Sequence, residues 1–108
     1  MRNPAAQGRP DANHAEIVEA YLSVYASVID THTLGKGFPD LVIGIAGETE
    51  LVEIKSEHGQ LRPSQNECIG HWRGRQPVVV RTPTDAINHA QNVRERVSRA
   101  RYRQSEEL

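Results

Sequence analysis

Apolar positions follow two rhythms along the chain. Ala15, Val18, Leu22 and Tyr25 recur at helical spacing behind Asp11, whose side chain suits an N-cap. Ala26–Thr31 carries Val28 and Ile29 in a short strand-like run, and Thr33–Gly37, with Gly35 and Gly37, reads as a flexible loop. Leu41–Ile45 and Leu51–Lys55 are two further strands. A helix with Pro63 in its first turn runs to about Arg73, with Leu61, Cys68, Ile69 and Trp72 as its apolar stripe and Gln65 on the same stripe. Val78–Val80 has the composition of a buried strand. Thr82 or Thr84 caps a last helix, along which Ala86, Ala90, Val93, Val97 and Ala100 alternate steps of four and three. The order α-β-β-β-α-β-α predicts an α/β sandwich with a mixed sheet.

The two central strands are separated by Ala46-Gly47-Glu48-Thr49. Glycine at the first central position of a two-residue loop favours a primed hairpin turn. With Gly47 and Glu48 as the turn, Asp40 lies opposite Lys55 and Val42 opposite Glu53. Opposed side chains share a face. Asp40, Glu53 and Lys55 then gather on one face, and Leu41, Ile43, Ile45, Val52 and Ile54 make an apolar surface on the other. A slip of one residue would send Asp40 to the apolar side.

Two carboxylates and an ammonium on one sheet face repel or lose solvation unless something uses them. A hard divalent cation resolves the conflict, because magnesium takes one or two carboxylates together with substrate phosphate oxygens. Asp40, Glu53 and the main-chain carbonyl of Ile54 are the candidate metal ligands. Lys55 is placed to position or activate water, or to stabilise charge on a phosphate. The bland alternative is a solvated sheet face with an ordinary Glu–Lys pattern.

The 108 residues, 12.1 kDa, suit one domain: a loose tail over 1–10, a folded unit over 11–92 and a basic extension over 93–108. The longest apolar runs are about five residues, far short of the ~20 a membrane span needs. The N-terminus lacks an apolar stretch, so no secretory signal is expected, and a lone Cys68 excludes an internal disulfide. A reducing cytoplasmic compartment is the expectation. The net charge of −1 is unevenly placed: residues 1–60 carry 4 basic and 9 acidic side chains, and residues 61–108 carry 9 arginines and 5 acids. That imbalance, −5 against +4, suggests a cation site on one side and a polyanion on the other.

Gly37-Phe38-Pro39-Asp40-Leu41, then Glu53-Ile54-Lys55, then Gly59-Gln60-Leu61-Arg62-Pro63-Ser64-Gln65 and Pro77–Arg81 together resemble the PD-(D/E)XK nuclease superfamily, closest to its small VRR-NUC branch. The likeness covers roughly residues 13–90. It implies a restriction-endonuclease-like fold and hydrolysis of DNA phosphodiesters with Mg2+ or Mn2+. Asp40 and Glu53 would be the metal-binding acids, Lys55 the catalytic lysine, and Gln65 the glutamine that projects from the following helix. An acid on the first helix often completes such sites, which nominates Glu16, with Glu19 second. The resemblance further implies branched or flapped DNA as substrate, a dimer, and phage or bacterial DNA metabolism; no nucleotide cofactor is expected. Two positions depart from the branch: Arg62 replaces a small polar residue, and Tyr25 stands where a glycine is frequent. A catalytically inactive DNA-binding or assembly module of the same fold is the alternative.

Gln65 has a second reading, since a glutamine in the first turn caps free amides. The five histidines form no short-spaced pair and no zinc motif, and a His-Asn-His nuclease motif is absent. His58, three residues after Lys55, is a candidate phosphate contact, as is Arg62. Cys68 reads as packing. Arg96, Arg99 and Arg103 align on one face of the last helix, either solvated or contacting phosphates with weak sequence preference. The Ala86–Ala100 stripe either packs on the domain or forms a homodimer seam.

Overall fold

The computed structural model describes residues 12–107. Its elements are α1 (His14–Ser23), β1 (Ser27–Asp30), β2 (Leu41–Ile45), β3 (Glu48–Ile54), α2 (Pro63–His71), β4 (Val78–Val80) and α3 (Pro83–Glu107). The sheet order is β1-β2-β3-β4, antiparallel except for the parallel β3–β4 pair that α2 connects. This is the expected α/β sandwich. Its core is one face of the sheet, Leu41, Ile43, Ile45, Val52, Ile54 and Val80, against Ile17, Ala20 and Tyr21 of α1 and Ala86, Ala90 and Val93 of α3. None of the described helices is long and apolar enough to cross a membrane.

The hairpin turn is Ala46–Gly47 instead of Gly47–Glu48. Both residues lie in the left-handed region, at φ 52° and 82°, as the tightest primed turn requires. Pairing runs from Leu41↔Val52 to Ile45↔Glu48, shifted by two residues from the expected register. The shift sets Val42 against Leu51, where the expected register would have set Val42 against Glu53 and Leu51 against Gly44. Apolar cross-strand pairs outweighed the preference for glycine at the first turn position. A two-residue shift leaves every side chain on its face. Asp40, one step beyond Leu41, therefore still shares a face with Glu53.

On α1 the buried stripe is Ile17, Ala20 and Tyr21, with His14, whereas Leu22 is half exposed and Tyr25 is 91% exposed. Both stripes satisfy helical spacing. Tyr21 decides between them: it fills the core, and its hydroxyl pairs with His89 Nδ1 at 2.7 Å. Asn13 is the N-cap residue, and Asp11 lies outside the described residues. Tyr25 follows the C-cap at φ 66°. The Ala26 N–H bonds to the Tyr21 carbonyl and the Tyr25 N–H to that of Leu22, a Schellman motif whose left-handed position favours glycine.

The stripe expected on α2 is not a core stripe. Gln65 is the helix's buried residue, and Trp72 stays 39% exposed, set edge-on to Phe38. At α3, Thr82 Oγ1 accepts the Asp85 N–H while Asp85 accepts the Thr82 N–H, a reciprocal cap. Ala86, Ala90 and Val93 are buried within the chain, Val97 is half-buried and Ala100 is exposed. The stripe read as a possible homodimer seam is thus already covered by α1 and the sheet. α3 runs unbroken across position 93, so the basic extension continues the domain's own helix.

Candidate active site

Strand ends and one loop bring Asp40, Glu53, Lys55 and Gln65 together. Asp40 ends the Gly-Phe-Pro-Asp loop. The main chain there runs so close to α2 that a Cβ on Gly37 would meet the Ser64 carbonyl oxygen at 2.1 Å, and Gly37 sits at φ 79°. Glycine serves both constraints. The Thr31 N–H bonds to the Asp40 carbonyl at 2.7 Å, extending the β1–β2 pairing past both strands.

Beyond the end of β2 the carboxylate of Asp40 takes the next partner of β3: Oδ2 accepts the Ile54 N–H at 2.9 Å. In a strand, a residue's N–H and C=O point to the same neighbour. The Ile54 carbonyl therefore leaves β3 on the side of Asp40. Glu53, 2% exposed, accepts from Gln65 Nε2 at 2.5 Å and has Lys55 Nζ at 3.6 Å from the same oxygen, Oε2. Gln65 Oε1 accepts the Arg62 N–H at 2.8 Å. One end of the Gln65 side chain therefore caps α2 while the other holds Glu53.

Burial first, and the neighbouring Asp40 carboxylate second, push the carboxyl of Glu53 up to about 8 against the opposing charges of Lys55 and Arg62. Two acids that compete to stay charged, with a backbone carbonyl beside them, are a hard-cation donor set. The residues present fit a divalent ion.

Lys55 is fastened on both sides. Its N–H bonds to the Val80 carbonyl, and its carbonyl accepts Asn13 Nδ2 at 3.1 Å, while the same amide reaches the Arg81 carbonyl at 2.6 Å. Arg81 Nη1 in turn donates to the carbonyls of Ser56 and Gly59, each at 2.7 Å. The arginine just after β4 thus pins the loop that follows Lys55.

Other candidates are placed elsewhere. Glu16 and Glu19 are exposed on α1, and neither makes a hydrogen bond or ion pair among the described residues. His58, in the loop after Lys55, and Arg62, at the N-cap of α2, are exposed, and Arg99 and Arg103 are exposed on the outer half of α3. Arg96 is engaged: its guanidinium is 2.9 Å from Glu50 Oε2. Glu50 is a functional-looking residue that sequence reasoning missed. It is 2% exposed on the apolar face, with His89 Nε2 at 3.1 Å and Arg75 Nε at 3.4 Å. Its buried charge is satisfied by those partners, and burial, reinforced by Glu50, pushes the Tyr21 hydroxyl upward. The strand parity that placed Asp40 would also have put Glu50 beside Val52 and Ile54.

A third cluster was also missed. His14 Nε2 lies 2.8 Å from Asp30 Oδ2, and His32 Nδ1 lies 2.5 Å from Asp30 Oδ1. Burial disfavours the Asp30 charge, but hydrogen bonds from His32 and His14 outweigh it and hold the carboxyl at about 2. No short sequence spacing announces this group, because α1 and β1 are brought together by packing.

A family model described as the VRR-NUC domain matches residues 6–92. The chain belongs to the VRR-NUC domain family. Members are nuclease domains of the PD-(D/E)XK kind, and the matched span includes Asp40, Glu53, Lys55, Gln65 and Arg81. Searches of curated proteins and of solved structures gave no match. The arginines from Arg94 onward lie past the VRR-NUC match.

Proposed function

We propose that this VRR-NUC domain is a divalent-metal-dependent endonuclease that hydrolyses DNA phosphodiesters, with preference for branched or flapped DNA. The observation that carries the reading is the pairing of buried Glu53 with Asp40 beside Lys55 and Gln65. Asp40, Glu53 and the Ile54 carbonyl would hold Mg2+ or Mn2+, which supplies Lewis-acid polarisation of a phosphate and a bound water of lowered pKa. Gln65 fixes the rotamer of Glu53. Lys55, anchored through its own backbone, presents an ammonium where charge develops on the phosphate. The exposed His58, Arg62, Arg99 and Arg103 contribute phosphate contacts that carry no sequence information.

The test is incubation of the purified chain with linear duplex, flapped and four-way DNA, in Mg2+, in Mn2+ and in EDTA. Cleavage that requires metal and is fastest on the branched substrates is expected. Metal-dependent cleavage at equal rates on all substrates would remove the structure preference. DNA binding without cleavage would make the domain a non-catalytic module.

A further inference from the structure

His14, Asp30 and His32 come from three segments: the first turn of α1, the last residue of β1, and the loop after it. Their ligand atoms lie within 4.8 Å of one another. Asp30 pairs with Leu41 across the β1–β2 ladder, so it shares the face of the apolar core, not that of Asp40. The two clusters therefore occupy the same end of the sheet on opposite faces, joined through the Thr31–Asp40 backbone bond.

Nothing on the far side of the His14 ring fixes its tautomer. His14 is 6% exposed, and its Nδ1 is buried with no partner. In a neutral imidazole the tautomer is set by what the other nitrogen bonds. With nothing on Nδ1, the group in front of Nε2 makes the choice. Asp30 alone selects an Nε2–H; a cation selects the Nε2 lone pair. Each carboxylate oxygen of Asp30 faces a different imidazole, so one ion between them would draw on all three side chains.

We propose that His14, Asp30 and His32 form a binding site for a borderline divalent transition-metal ion of the Zn2+ class, distinct from the hard-oxygen site of Asp40 and Glu53. Two imidazoles and one carboxylate suit zinc, cobalt, nickel or ferrous iron and disfavour magnesium. Bonds of about 2.0–2.2 Å place the ligands of such an ion roughly 3.4 Å apart. Reaching that spacing would open the 2.5 and 2.8 Å contacts to Asp30 and bring the wider pair together, and the Asp30 side chain, 43% exposed, is free to turn. Three protein ligands leave positions for water or a further ligand. Bound there, the ion fastens the start of α1 to the end of β1. The adjoining Asn13 holds the Lys55 carbonyl, so the same ion steadies the main chain of the nuclease site. The inference does not depend on the endonuclease reading.

The experiment uses chelator-stripped, desalted full-length chain titrated with ZnCl2 by calorimetry, without DNA or magnesium. One zinc per chain is expected, weakened at least tenfold in His32→Ala and in Asp30→Asn. Both positions are partly exposed, so folded variants are expected, and far-UV circular dichroism checks this. His58→Ala/His71→Ala, which removes two exposed histidines, and Asp40→Asn, in the other site, should bind within twofold of the native chain. A readout on the native chain alone is the imidazole NMR spectrum, in which zinc should shift His14 and His32 and leave His71 in place. No stoichiometric uptake, uptake unchanged in both His32→Ala and Asp30→Asn, loss confined to the His58/His71 variant, or shifts elsewhere would overturn the site. DNA cleavage enters none of these measurements, so their outcome is separable from that of the nuclease assay.

Discussion

Gln65 donates to Glu53 at 2.5 Å while its other side-chain atom, Oε1, accepts the Arg62 N–H that opens α2. A single buried amide links the cap of a helix to a carboxylate of the site. Gln65→Ala removes both bonds and leaves Glu53 buried without its donor. Loss of a buried hydrogen bond that strands its partner costs about 1–3 kcal/mol, and urea denaturation should report a fall in that range. Metal-dependent cleavage should fall as well, because the rotamer of Glu53 is released.

The carboxyl of Glu53 is raised to about 8 from an ordinary 4.5. Folded chains thus hold this proton where unfolded chains have lost it. Stability should decline as pH rises from roughly 4.5 to 8 in metal-free buffer. Glu53→Gln should flatten that decline, and saturating Mg2+ should oppose it in the native chain but not in the variant. Thermal melts at pH 5, 6.5 and 8 with and without Mg2+ check the sign; a native chain that becomes steadily more stable over this range contradicts it.

Tyr25 holds a left-handed backbone with its ring in solvent. A non-glycine residue pays roughly 1–2 kcal/mol there. Tyr25→Gly should therefore stabilise the protein by up to about 1 kcal/mol after the extra freedom of glycine in the unfolded chain is set against it. Chemical denaturation measures this, and a destabilised variant would show that the exposed ring makes a contribution the fold does not reveal.

The arginines of α3 should divide into two kinds. Arg99→Ala with Arg103→Ala should weaken DNA binding equally across sequences and flatten the log–log salt dependence by ~1.8 for duplex DNA, ~0.9 per lost phosphate contact. Stability should be unchanged. Arg96→Ala should instead destabilise the fold, because it strips a partner from buried Glu50. Breaking a buried pair costs about 3–5 kcal/mol, an upper bound here because Arg75 and His89 remain beside the same carboxylate. Salt titrations of binding and urea melts on the same variants separate the two.

Much of the fold was legible because it rests on strong periodicities. The hairpin, the Val78–Val80 strand and the Ala86–Val93 stripe each follow from apolar spacing. Asp40, Glu53 and Lys55 were placed on one face by strand parity, which survived a turn displaced by one position because the register moved by two. What was not legible depended on contacts between distant segments. Tyr21 outranks Leu22 in the core because His89, on another helix, meets its hydroxyl. Glu50 is tolerated on an apolar face because two arginines and a histidine converge on it. His14 and His32 come together on Asp30 only after α1 packs beside β1. Glu16 illustrates the converse: an acid of the right type on the right helix, turned to solvent.

The proposed nuclease activity rests on Asp40 and Glu53 holding the metal together. Its most direct test is single-turnover cleavage of a flapped duplex in 5–10 mM Mg2+ by the native chain and by Asp40→Ala, with folding of the variant verified by circular dichroism. Removing a metal ligand should raise the barrier by several kcal/mol, and each ~1.4 kcal/mol is tenfold in rate, so a loss of a thousandfold or more is predicted. Cleavage by folded Asp40→Ala within tenfold of the native rate would rule out Asp40 as a metal ligand.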